Sequence, residues 1–178
     1  ASVALLPQAC GSRLPKALRA ELPPEILAKK RGYARDQPTP IEDAIWARFL
    51  DGVEPLRSSG KLGAIFLQYP RWFFPSNESR DEIVKAKERL GDTPFAVELR
   101  HASWFNEKNV DRTLRFLEKH EIPFVMVDAP PGTRSSVPPM TVVTSPKLAV
   151  VRFHGRRTET WEKQGIPVVE RFRYLYDQ

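Results

Sequence analysis

The chain has 178 residues, 41% of them hydrophobic and 28% charged, with 28 Lys/Arg against 22 Asp/Glu and a net charge of +6. That length can bury a sizeable core as one domain, and no apolar run reaches the roughly 20 residues of a membrane-spanning helix. A single cysteine, Cys10, excludes an intrachain disulfide framework and a cysteine-rich metal site, and points to a reducing, cytoplasmic setting.

Residues 1–38 are rich in Leu and Pro. Their opening, ASVALLPQAC, is short and has no basic lead, so it makes a poor signal peptide. Leu14, Leu18 and Leu22 are spaced as a short helix before Pro23-Pro24, and no strand is predicted here. Thr39-Pro40-Ile41-Glu42 then reads as a capping box with proline at the first helical position. Ile41, Ile45, Trp46, Phe49, Leu50 and Val53 form one face of the helix that follows.

From residue 62 onward, short apolar runs alternate with helical patterns. Strands are predicted near 62–68, 95–100, 123–128 and 148–154, parallel and adjacent in chain order. Ser79-Arg80-Asp81-Glu82 signals the start of one intervening helix, and Asn106 the start of another carrying Val110, Leu114 and Leu117. Residues 129–139, APPGTRSSVPP, are too rich in Pro, Ser and Gly for a regular element. This loop is expected to arch over the strand ends, as a lid or as a static connector.

The predicted fold class is α/β, a partial TIM-type (β/α) barrel. One incomplete barrel domain is expected over 1–178, with 1–38 an irregular or helical lead-in and 39–178 consecutive αβ units. A full barrel takes eight strands and about 250 residues, whereas four strong strands are legible here. A doubly wound sheet also fits the alternation, but no G-x-G-x-x-G follows any strand.

Each predicted strand runs into a cluster of functional side chains, the layout of a barrel active site. Side chains alternate along a strand, so Glu98 shares a face with Arg100, and Arg152 with His154. Those four and Asp128 are expected to converge in one cavity. Glu98, His101, Asp128 and His154 are the candidate catalytic residues. Glu98 reads either as a general base or as an architectural ion-pair partner of Arg100. Gln68, Arg100, Trp104, Arg152, Gly155 and Arg156 are the candidate ligand-binding residues. Guanidinium groups clamp carboxylate or phosphate, and a glycine lets backbone approach a ligand. Trp72, Trp104 and Trp161 could wall a sugar or base, or simply pack. His120 falls at a helix end and is assigned no chemistry. Glu98, His101, Asp128 and His154 also make a conceivable metal set, but no tight ligand spacing supports it, and no metal is assigned. The cofactor is left unknown.

The segments L-Q-Y-P-R-W-F at 67–73, V-E-L-R-H-A-S-W at 97–104, V-D at 127–128, V-R-F-H-G-R at 151–156 and R-Y-L-Y at 173–176 resemble, in order and spacing, the YecE-like family, domain of unknown function 72. The resemblance implies a TIM-type barrel. It also carries the family's strand-end signature onto Gln68 and Pro70, onto Glu98, Arg100 and His101, onto Asp128, and onto Arg152, His154, Gly155 and Arg156. The family's opening strands are not recognised before residue 40, nor its closing Asn-containing strand, so an incomplete barrel is expected.

The function read from these residues is a polar strand-end pocket for a small anionic or polyhydroxylated, sugar-like ligand, with acid/base enzyme chemistry open. The rival readings are a metal-dependent phosphodiesterase or isomerase, a nucleic-acid-binding protein and a non-catalytic scaffold. The basic excess lies in 1–40 and 134–178, while 41–133 hold thirteen basic against fifteen acidic residues; this is the only support for nucleic acid. No membrane partner is expected, and the oligomeric state is open.

Overall fold

The computed structural model describes residues 2–5, 16–20, 24, 39–132 and 136–176. In chain order these hold β1 (Ser2–Leu5), α1 (Lys16–Ala20), α2 (Thr39–Ser58), β2 (Ala64–Tyr69), α3 (Asn77–Leu90) and β3 (Phe95–Leu99). A 3-10 turn (Ala102–Phe105) follows, then α4 (Val110–Lys119), β4 (Val125–Asp128), β5 (Val150–Phe153), α5 (Thr158–Trp161) and α6 (Val168–Arg171). The chain has a mixed α/β fold with parallel strands. β1 pairs with β2, β2 with β3 and β4 with β5, all parallel. A parallel bridge between Val97 and Phe124 joins β3 to β4.

The strands predicted near 62–68, 95–100, 123–128 and 148–154 are β2 to β5. The expectation that 1–38 holds no strand is corrected: Ser2–Leu5 lies in register on β2, from Ser2 opposite Ala64 to Leu5 opposite Leu67. Four residues between Ala1 and Pro7 are too short to show a period, and their strand character comes from pairing with β2. In the short predicted helix, Leu14 and Leu22 lie outside the described residues, and α1 occupies the stretch between them. Among the described residues β1 and β5 do not pair with each other, so no closed barrel forms.

Alternation gives the sheet two unlike faces. Ile65, Leu67 and Tyr69, with Val97 and Leu99, pack into the helix-covered core with Trp46, Ile83, Leu90, Trp104 and Leu117. Gln68 and Glu98, paired in register, lie on the other face. The helix-covered face ends at β5, where Val151 and Phe153 are 49% and 67% exposed. Among the described residues no helix is long and apolar enough to cross a membrane.

Two helix starts differ from expectation. Ser76, three residues before Ser79, is the N-cap of α3 and accepts the Ser79 N–H at 3.1 Å. Ser79 itself is buried within the first turn. The N-cap of α4 is Asn109, and Asn106 instead ends the 3-10 turn, its carbonyl accepting from Val110 N–H at 2.9 Å. The 3-10 turn after β3 takes Asn106 as its C-cap and moves the start of α4 to Asn109, which apolar periodicity does not show. The motif after β3 thereby anchors α4: Thr113 donates its hydroxyl to the Trp104 carbonyl at 2.8 Å.

Candidate strand-end site

Glu98 is the centre of the polar cluster. Its residue is only 1% exposed, at the C-terminal end of β3. A buried carboxylate is costly unless paired and hydrogen-bonded. Here two guanidinium groups supply the pairing. Arg152 from β5 binds one carboxylate oxygen, and Arg100 Nε lies 3.6 Å from the other. Both arginines remain about one-third exposed, 36% for the Arg100 side chain and 32% for Arg152, so they face solvent as well as Glu98. Burial pulls the Arg100 guanidinium below its ordinary value, Glu98 opposes this, and Arg71 and Arg152 add to it. Arginine stays charged through shifts of this kind.

His154 follows β5 directly. Its backbone N–H donates to the Asp128 carbonyl at 2.8 Å, and its ring packs against Trp161 and Phe172. Burial, and then Arg152, hold its imidazole below the ordinary value against the opposing pull of Glu98 and Asp128. The neutral form is therefore favoured near neutral pH. The unfolded chain binds this proton more readily than the folded one, so His154 costs nothing above the ordinary imidazole range. Stability falls as pH drops from there towards the lower folded value. Urea midpoints measured from pH 7.5 to 5 are expected to fall less steeply in His154→Asn than in wild type; equal slopes would contradict this.

Glu98, Arg100, Ser136, Val137, His154 and Trp161 line one narrow cleft. Arg152 reaches it through Glu98. The structure does not bring the other expected residues into that lining. Gln68 is half-buried opposite Glu98 in register but is not among the cleft residues. His101 caps the 3-10 turn: its Nδ1 accepts from Ser103 N–H at 3.1 Å and lies 2.7 Å from Ser103 Oγ, while its ring meets Phe74.

Asp128 is paired in register with Phe153 and its neighbour Val127 with Arg152, so Asp128 projects from the face opposite Arg152. The expected convergence of Asp128 with Glu98 and His154 in one cavity is therefore corrected. Its carboxylate binds Arg156 Nε at 2.9 and 3.1 Å and accepts the Tyr176 hydroxyl at 2.7 Å. Trp104, expected to bind ligand, is fully buried and donates its indole N–H to the Phe73 carbonyl at 2.7 Å. Gly155 has φ +80, and a Cβ there would lie 2.7 Å from Tyr174 Cβ, so the close approach that requires glycine is to Tyr174.

A family model described as "Protein of unknown function DUF72" matches residues 23–178. The chain belongs to the DUF72 family. It is 31% identical over 147 residues to the UPF0759 protein YunF of Bacillus subtilis (strain 168), covering 82% of this chain and 52% of that protein. Among solved structures it is similar to the DUF72 family protein EF0366 of Enterococcus faecalis V583, with a TM-score of 0.67 and 32% identity over 76% of this chain and 50% of that one. It is also similar to the DUF72 family protein TM1631 of Thermotoga maritima MSB8, with a TM-score of 0.62 and 33% identity over 75% and 47%. The chain spans about half the length of these DUF72 relatives.

In this DUF72 chain, no group of three or more His, Cys, Asp or Glu side chains among the described residues could hold a metal ion. The carboxylates of Glu98 and Asp128 are instead engaged by arginines. Sequence reasoning did not select Ser136, Val137 or Tyr176 as site residues. The first two belong to the 129–139 loop, whose place after a strand end was their signal. Tyr176 lies in the R-Y-L-Y segment, which stands at no predicted strand end, the position that selected the other candidates.

Proposed function

We propose that this DUF72 chain supplies part of a TIM-type barrel whose strand-end cleft binds a small anionic or polyhydroxylated ligand. One observation carries the reading. A single buried carboxylate, Glu98, is shared by two partly exposed guanidinium groups beside a half-buried imidazole. One negative charge is thus set against two positive charges, leaving a local excess suited to an anionic group. Glu98 serves as the brace that fixes both arginines, and His154 is the group able to accept a proton from a bound ligand. A cytoplasmic location is part of the same reading, supported by the single cysteine.

Calorimetry of the intact protein with phosphate, sulfate and sugar phosphates tests this. Arg100→Ala and Arg152→Ala are each expected to weaken phosphate binding about tenfold, the scale of one charge-assisted hydrogen bond. Binding unchanged in both variants would remove the arginine clamp. Failure of every anion to bind would favour the scaffold reading. Salt-dependent binding of RNA or DNA that survives both substitutions would favour the nucleic-acid reading.

A further inference from the structure

Beyond the cleft itself, the turn that follows β5 is tied down by a residue distant in sequence. The Tyr176 hydroxyl accepts the Gly155 N–H at 2.8 Å and donates to Asp128 Oδ2 at 2.7 Å. Asp128 in turn holds Arg156 Nε, and its backbone carbonyl accepts the His154 N–H. Residues 154, 155 and 156 are therefore each fastened to Asp128, directly or through one phenol. A tyrosine hydroxyl can do this because it both donates and accepts. Its ring packs edge-on against Phe153, with centroids 5.2 Å apart, and against Tyr174, at 4.8 Å. Arg156 lies over the same ring, 5.9 Å from its centroid. Tyr174 fills the space above Gly155 that any Cβ would occupy.

We propose that Tyr176 is the positioning residue of the strand-end site, holding the 154–156 turn so that His154 faces the cleft while Arg156 stays on Asp128. Its consequence for ligand rests on the anion-binding reading above; its action on His154 does not. Without the hydroxyl, the Gly155 N–H loses this bond, and of the described hydrogen bonds to Asp128 the turn keeps those from the His154 N–H and Arg156. His154 then shifts towards solvent, away from Trp161 and Phe172, from Arg152 and Arg100, which hold its imidazole down, and from Glu98 and Asp128, which pull it up; the loss of burial, the largest of these influences, sets the sign.

The test is Tyr176→Phe in the intact protein, which keeps the ring contacts and removes only the hydroxyl. Three quantities are measured by NMR: the His154 titration midpoint, exchange of the Gly155 amide, and phosphate affinity. The midpoint is expected to rise towards the ordinary imidazole range. Gly155 exchange is expected to speed up about tenfold, the effect of one lost hydrogen bond on a local opening equilibrium. Phosphate affinity is expected to fall several-fold. Gly155→Ala, which drives Tyr174 off the turn, is expected to move the His154 midpoint the same way. If Gly155 exchange rises while the His154 midpoint stays put in both variants, Tyr176 merely fastens its own segment and the proposal is overturned; an unchanged Gly155 amide overturns it too. If wild type binds no phosphate, the anion reading fails while the His154 and Gly155 measurements still decide the role of Tyr176.

Discussion

Glu98→Ala is expected to lower the unfolding free energy by about 2–4 kcal/mol. Removing one partner of a buried ion pair typically costs about 3–5 kcal/mol, because the surviving charge is left desolvated and unpaired. The lower range applies because Arg100 and Arg152 each keep about a third of their side chain in water. Urea unfolding of wild type and variant measures the difference. Glu98→Gln preserves shape and one acceptor oxygen, so its loss is smaller. It also stops the carboxylate from neutralising the arginines, and phosphate is expected to bind several-fold more tightly. That result shows that glutamine still braces the arginines and that the carboxylate's charge competes with the anion for them. Weaker phosphate binding in Glu98→Gln would show that loss of the brace outweighs loss of that competing charge.

Trp104→Ala is expected to cost about 3–5 kcal/mol, the range for emptying a buried aromatic site. Trp104 is fully buried, stacks on Phe73 with ring centroids 5.7 Å apart, and has the Arg80 guanidinium over its ring at 5.4 Å. Its backbone carbonyl also accepts the Thr113 hydroxyl, which ties β3 to α4 through the 3-10 turn. Trp104→Phe retains most of the packing but removes the indole N–H hydrogen bond to the Phe73 carbonyl, a loss of about 1 kcal/mol. Thermal or urea unfolding measures both variants. Trp104→Phe is expected to leave phosphate affinity unchanged; a tenfold loss would restore Trp104 to the ligand-binding set.

The sequence alone determined the parallel α/β alternation, because buried parallel strands are apolar on both faces and their crossover helices carry their own periodicity. Positions and order of β2 to β5 were legible for that reason. So was the pairing of Glu98 with Arg100, since residues two apart on a strand share a face. Membership of the DUF72 family was legible in the motifs between residues 67 and 176.

Only the tertiary structure decided the remainder. β1 is a strand through its neighbour β2, not through a pattern of its own. The register of β4 on β5 sends Asp128 away from Arg152, although both stand at strand ends. Strand-end position is visible in a sequence, but the face a residue takes there depends on pairing register, and a shift of one residue reverses it. Trp104 and Gly155 belong to motifs that look functional, yet both are explained by packing, against Phe73 and Tyr174 respectively. Tyr176 reaches Asp128 across 48 positions of chain, a contact that no local pattern encodes and that only the folded geometry brings within 2.7 Å.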